Sequence, residues 1–118
     1  MKLSKHFSRE EFACSCGCGF DTVDVNLIRK LEKIRIHFMT PVTITSACRC
    51  NAHNESVNGA ARSQHKLGRA ADIIVHGVEP DDVADWADAE FTDGGIGRYS
   101  SFTHIDSRNG KAGWSGNY

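Results

Sequence analysis

An aspartate inside an apolar stretch is the feature that most limits how this chain can fold. The six residues from Ala70 to Val75 read Ala-Ala-Asp-Ile-Ile-Val, which predicts a β-strand. Period two puts residues 71, 73 and 75 on one face and Asp72 on the other. A buried carboxylate costs free energy unless it is paired or bound to a metal. Asp72 therefore needs a partner, and a zinc ion would be sufficient.

Two histidines are candidates for that partnership. His65 precedes Asp72, and Gly68 between them permits a sharp turn. His104 lies on another predicted strand, where alternation places Asp106 on the same face. Imidazole and carboxylate both bind zinc, and three protein ligands leave a position for water, as in catalytic sites. The residues alone predict zinc on His65, Asp72 and His104, although spacing also allows hydrogen-bonded histidines and a turn aspartate without a metal.

The remaining pattern predicts an α+β domain, with helices packed on a small, mostly antiparallel sheet. Phe7 to Phe12 predicts a short helix with a capping box and a hydrophobic staple. Asp24 is placed to cap a longer helix that ends before Pro41. Further strands are predicted at 42–45, 96–99 and 102–106, the last two as a hairpin, and a helix start at 79–82.

Length, charge and hydropathy limit the classes of binding partner that we expect. The 118 residues predict a single domain, 1–118, and the hydrophobic fraction of 40% is ordinary for a globular protein. A net charge of -1 without a long run of one sign gives no reason to expect nucleic acid. No window approaches the roughly 20 apolar residues of a membrane span. We expect a monomer that binds neither nucleic acid nor membrane, made in a cytoplasm without a signal peptide.

The motif around Asp72 resembles that of a known family. Ser63-x-His65-x-x-Gly68-x-Ala70-x-Asp72, followed by His104-x-Asp106, is similar to the signature of zinc D-Ala-D-Ala carboxypeptidases and their phage endolysin relatives. The similarity extends to residues 44–49, Asn54, 94–99, Phe102 and Trp114.

The resemblance implies a hedgehog/D-Ala-D-Ala peptidase-like fold with one catalytic zinc ion on His65, Asp72 and His104. It implies hydrolysis of peptide bonds in the stem peptides of bacterial peptidoglycan, by an endolysin-type endopeptidase or a carboxypeptidase. A phage enzyme of this kind would reach the cell wall from the host cytoplasm after holin-type release.

The resemblance also implies roles for single residues. Arg49 is expected to hold the substrate carbonyl or carboxylate, because a guanidinium offers a planar fork of donors. Ser63 and Gln64 are expected to shape the turn or to bind substrate. Tyr99 either lines the cleft or is an ordinary core aromatic.

One position departs from the family pattern. Many relatives carry an acid three residues before the last zinc histidine, where this chain has Ser101. We expect Asp106 to replace that acid as the group that takes the proton of the attacking water, with His104 as ligand. The reverse assignment, Asp106 on the metal and His104 as base, stays open. So does a non-catalytic zinc module of the same fold in a phage structural or regulatory protein.

Five cysteines are dense for a chain of this length, and an odd number excludes complete internal pairing. They are Cys14, Cys16, Cys18, Cys48 and Cys50. None has the two-residue gap of a common zinc ribbon. The cysteines could be buried free thiols, ligands of a second, structural metal, or partners in a disulfide. Their number also allows a third hypothesis for the function, a redox or metal-storage protein.

Overall fold

The computed structural model describes residues 1–116, in which helices pack against one five-stranded sheet. The elements are a 3-10 helix Arg9–Glu11, α1 Val25–Phe38, β1 Val42–Ser46, α2 Asn51–Ser56, a second 3-10 helix Gln64–Leu67, β2 Ala70–Val75, α3 Pro80–Glu90, β3 Gly94–Arg98, β4 Thr103–Asp106 and β5 Lys111–Ser115. The predicted α+β class is confirmed. Within the described residues, no helix has the length and apolar character needed to cross a membrane.

The sheet has the strand order β1-β2-β4-β3-β5. Neighbouring strands are antiparallel except β3 and β5, which are parallel. The predicted pairing of the last two strands is present, with Ile96 of β3 opposite Ile105 of β4. The edge strand β5 and the short helix α2 were not predicted. The consequence for the site is that β2 and β4 are neighbours at the centre of the sheet.

The apolar face of β2 forms part of the hydrophobic core, as its alternation predicts. Ala71, Ile73 and Val75 are buried in one cluster with the apolar stripe of α1, which includes Leu27 and Leu31. Helix α1 lies against β2, and α3 lies against β3 and β4. The opposite face of β2 and β4 is therefore left free to carry polar side chains.

The first predicted helix start has its expected capping contacts, whereas the second has the expected residue at the cap position without the capping contact. Glu11 accepts a hydrogen bond from the backbone N–H of Ser8 at 2.6 Å, and the capping box is complete. Asp24 occupies the N-cap position of α1, but its side chain does not cap the helix. It instead accepts a hydrogen bond from Ser107 Oγ at 2.7 Å, which ties the start of α1 to the segment after β4.

Candidate active site

Pairing between β2 and β4 brings together the side chains that the sequence singles out. Asp72 lies directly opposite His104 on the neighbouring strand. His65 belongs to the 3-10 helix before β2, and Gly68 ends that helix with a φ of 67°, a conformation that suits glycine. All three side chains are buried, and one ligand atom of each lies within 4.8 Å of the others.

Each histidine is oriented by a partner on its far side. His65 Nδ1 lies 2.7 Å from the carbonyl oxygen of Ala47, and His104 Nε2 lies 2.8 Å from Asp106 Oδ2. Because a carbonyl and a carboxylate only accept, these two ring nitrogens carry protons and donate them. In the neutral ring, which is the form that binds a metal, the other nitrogen then carries an electron pair. Such outer partners commonly fix the tautomer of metal-binding histidines.

The two electron pairs point at the same carboxylate oxygen. Asp72 Oδ1 lies 3.3 Å from His65 Nε2 and 3.0 Å from His104 Nδ1. With neutral rings, three electron-rich atoms converge here and repel one another unless a proton or a metal cation lies among them. Two imidazoles and one carboxylate are a donor set that zinc accepts, with a fourth position left for water or substrate. The residues therefore fit a zinc ion.

The charges around Asp72 favour its ionised form. Burial raises the pKa of Asp72, but hydrogen bonds from His104 and His65 outweigh burial and hold the pKa well below its usual 3.8. Burial lowers the pKa of His104, but the carboxylates of Asp106 and Asp72 outweigh it and raise the pKa above 6.5. A carboxylate that stays charged in a buried position is suited to hold a cation.

Asp106 lies behind His104 and has no exposed surface. Its carboxylate accepts the Gly95 N–H at 2.7 Å and several N–H groups of Arg108, in addition to His104. A Cβ at Gly95 would lie 2.4 Å from Asp106 Oδ2, so only glycine lets β3 approach so closely. Burial raises the pKa of Asp106, but the bonds from His104 and Arg108 outweigh it and keep the pKa below 3.8.

This position is unfavourable for the proton-accepting role that we expected of Asp106. The carboxylate does not line the cavity, both of its oxygens are engaged, and a low pKa makes it a weak base. The reverse assignment, with Asp106 as ligand, is also less well matched, because the converging group contains His104 instead. The arrangement corresponds to a carboxylate–histidine pair in which Asp106 positions His104.

A cavity of about 540 Å³ opens above the three converging residues. The predicted substrate-binding residues all contribute to its walls: Arg49, Ser63, Gln64 and Tyr99. Ser63 Oγ accepts the backbone N–H of His65 at 3.2 Å, so this side chain shapes the turn. Gln64 Oε1 is buried without a hydrogen-bond partner among the described residues.

Arg49 reaches into this cavity from the connection between β1 and α2. Its Nη2 lies 3.3 Å from Asp72 Oδ2, the carboxylate oxygen that does not face the histidines. Its Nε and Nη1 donate to Ser46 Oγ at 3.2 Å and to Asn54 Oδ1 at 3.4 Å. The guanidinium is thus held beside the converging residues, where it can also meet a substrate oxygen.

Another part of the cavity wall is formed by residues in β5 and in the segments that follow β3 and β4. Trp114 of β5 donates its indole N–H to Tyr99 Oη at 2.8 Å, and its ring lies 4.9 Å from that of His104. Arg108 lies over the same indole at 4.9 Å. The sequence did not single out Arg108, because no local pattern shows that the chain after β4 folds back onto Asp106. Ser101 lines a different cavity.

Comparison with known families agrees with this geometry. A family model described as Peptidase M15 matches residues 5–106, which include every residue of the converging group and Arg49. No curated protein matches the sequence. M15 peptidases bind zinc, in keeping with the donor set of His65, Asp72 and His104. The chain belongs to the peptidase M15 family.

Proposed function

We propose that this protein is a zinc metallopeptidase that hydrolyses peptide bonds in the stem peptides of bacterial peptidoglycan. The observation that carries the proposal is the convergence of His65, Asp72 and His104 at the base of an open cavity. Membership of the M15 family supports peptidase chemistry, and the resemblance to D-Ala-D-Ala carboxypeptidases and endolysins supports this substrate class.

The residues of the site have different roles in this proposal, according to where each lies. A zinc ion on these ligands would polarise the scissile carbonyl and lower the pKa of a bound water. Asp106 accepts a hydrogen bond from the Nε2–H of His104, which leaves Nδ1 of the neutral ring aimed at the ligand position. Ala47 does the same for His65 through its backbone carbonyl. Arg49 binds the substrate carbonyl or carboxylate and stabilises the negative charge that develops on the oxygen during attack.

The charge of the cavity walls favours an acidic peptide. Arg49, Arg62 and Arg108 all line the cavity, and among the lining residues that the structure describes, Asp72 is the only one with a carboxylate. Stem peptides of peptidoglycan carry several carboxylates, including the free C-terminal carboxylate of D-alanine. Arginine binds such groups through two parallel hydrogen bonds, which fixes orientation as well as charge.

The experiment is digestion of purified peptidoglycan, followed by mass spectrometry of the released muropeptides. We expect the zinc-loaded protein to cut one type of peptide bond and the His65→Ala variant to cut none. His76→Ala is the matched control, because that histidine is exposed, lies outside the cavity and forms a ring hydrogen bond with Thr43 Oγ1 at 2.8 Å.

The control should cleave as fast as the unmodified protein. If the unmodified protein holds zinc and still leaves every muropeptide bond intact, the peptidase proposal fails. The non-catalytic zinc module would then be the better account. The product masses also distinguish a carboxypeptidase, which releases single D-alanine residues, from an endopeptidase, which separates peptide fragments.

A further inference from the structure

Four of the five cysteines form a second converging group, outside the cavity. Cys14, Cys16 and Cys18 lie in the irregular segment between the first 3-10 helix and α1, and Cys50 lies at the start of α2. Their four Sγ atoms all lie within 4.8 Å of one another. The segments that carry them are more than thirty positions apart in the sequence, so only the fold brings them together.

The sulfur–sulfur distances favour metal ligands over a disulfide. Sγ of Cys16 lies 3.4 Å from that of Cys14 and 3.6 Å from that of Cys50. A disulfide requires about 2 Å. A tetrahedron of thiolates around zinc, with Zn–S bonds of about 2.3 Å, has edges of about 3.8 Å. The observed distances are close to those edges.

We propose that Cys14, Cys16, Cys18 and Cys50 form a tetrathiolate site for one structural zinc ion. Four sulfur ligands complete a tetrahedron and leave no open position, so the site is structural and not catalytic. The backbone N–H of His53 donates to Cys50 Sγ at 3.4 Å, which orients and stabilises that thiolate. Thiolates are the ligands that zinc prefers in closed sites of this kind.

Cys48 does not belong to this group. Its side chain is buried in the hydrophobic core, and its Sγ donates to the carbonyl oxygen of Thr22 at 3.4 Å. The odd cysteine is thus a core thiol, and the other four make an even set. Cys48 therefore provides a matched control for any substitution in the cluster.

The tetrathiolate site anchors the connection that supplies the cavity. Cys50 directly follows Arg49, and Ala47 in the same connection accepts the Nδ1–H of His65. A backbone hydrogen bond from Cys48 N to Phe12 O, at 2.9 Å, already joins this connection to the N-terminal segment. A metal that joins Cys50 to the N-terminal segment would therefore restrain the backbone that carries Arg49.

Metal content and cobalt spectroscopy test the proposal on the full chain under reducing conditions. We expect two zinc equivalents in the unmodified protein and loss of one in the double variant Cys16→Ser/Cys18→Ser. The His65→Ala variant should keep the thiolate-bound metal, and Cys48→Ala should keep both. Cobalt(II) in the cluster should give a thiolate-to-metal charge-transfer band that is absent from the double variant.

Alkylation of the unmodified protein decides the question even if the double variant fails to fold. Cys16 and Cys18 are exposed, so metal should protect them from alkylation and a chelator should remove the protection. Equal alkylation with and without chelator, together with no charge-transfer band, would overturn the proposal. So would a disulfide within the cluster that forms in place of metal binding. These readouts do not depend on peptidase activity.

Discussion

Substitution of Asp106 by asparagine separates two roles for this buried carboxylate. The amide oxygen of asparagine can still accept the Gly95 N–H, which lies 2.7 Å from the carboxylate. The amide nitrogen, however, would then replace Asp106 Oδ2, which accepts from His104 Nε2 at 2.8 Å and from Arg108 Nη2 at 2.7 Å. It would lose the bond from Arg108 and donate to His104 Nε2. His104 would carry its proton on Nδ1 instead, the nitrogen that faces Asp72.

The expected magnitude follows from that change of tautomer. Loss of an outer partner of a metal ligand typically weakens metal binding by about 10- to 100-fold, or ~1.4–2.8 kcal/mol. We therefore expect Asp106→Asn to bind zinc that much more weakly and to recover most of its kcat when zinc is saturating. Competition with a chromophoric chelator measures the affinity, and muropeptide hydrolysis over a range of zinc concentrations measures the recovery.

A different outcome would refute the positioning role. If zinc affinity stays unchanged while kcat falls by about 10²–10⁴-fold at every zinc concentration, Asp106 moves the proton of the reaction itself. Asp82→Asn is the matched control, because Asp82 is an exposed acid in the first turn of α3. That variant should match the unmodified protein in both measurements.

Two further substitutions test the substrate group and the N-terminal segment. Arg49→Lys keeps the positive charge but loses the planar fork of donors that reaches Ser46 and Asp72. We therefore expect kcat/KM to fall about 10- to 100-fold while the zinc content, measured by elemental analysis, stays the same. Loss of zinc from this variant would contradict the assigned role of Arg49. Glu32→Gln weakens the hydrogen bonds that Glu32 accepts from His6 N at 2.7 Å and from Ser4, so stability at neutral pH should fall by about 2 kcal/mol in urea denaturation. Burial raises the pKa of Glu32, but hydrogen bonds from Ser4 and His6 outweigh burial and lower the pKa. The contribution of Glu32 to the free energy of unfolding is therefore fully present above its usual pKa of 4.5 and is lost on acidification. The variant and the unmodified protein should become equally stable well below that pH.

Much of the fold could be predicted because local signals agree with the final contacts. The alternation of β2 correctly separates its core face from the face of Asp72. Helix α1 has both its apolar stripe and its cap position where the sequence places them. These elements are decided by burial of apolar side chains, which sequence periodicity reports directly.

The elements that were missed depend on distant partners. β5 alternates exposed and half-buried residues and contains Gly113, so little in Lys111–Ser115 favours a strand. It forms because it pairs in parallel with β3, which places Trp114 opposite Gly97 and beside His104. Helix α2 has only six residues, and the Cys50 side chain caps its start by accepting the His53 N–H.

Local sequence patterns and contacts with distant residues also account for different parts of the site. Period two correctly puts His104 and Asp106 on one face, but it does not give the depth of each side chain. Depth is decided by Gly95 on the neighbouring strand, which lets the backbone close over Asp106 and leaves His104 as the group that meets Asp72. A motif identifies which residues share a face, whereas the neighbouring strand decides which of them is covered.

The two converging groups are separate in space but share one stretch of chain. Residues 47–50 supply the carbonyl that orients His65, the guanidinium beside Asp72 and one thiolate of the cysteine cluster. This stretch has no regular secondary structure, so its geometry depends on single backbone hydrogen bonds, from Cys48 N to Phe12 O and from Arg49 N to His65 O, and on the side chains and ligands at its two ends. Metal binding by the cysteines would restrain one end and metal binding by His65 the other. The conformational entropy of ordering this connection is then shared between the two sites, so each metal should bind more tightly when the other is already in place.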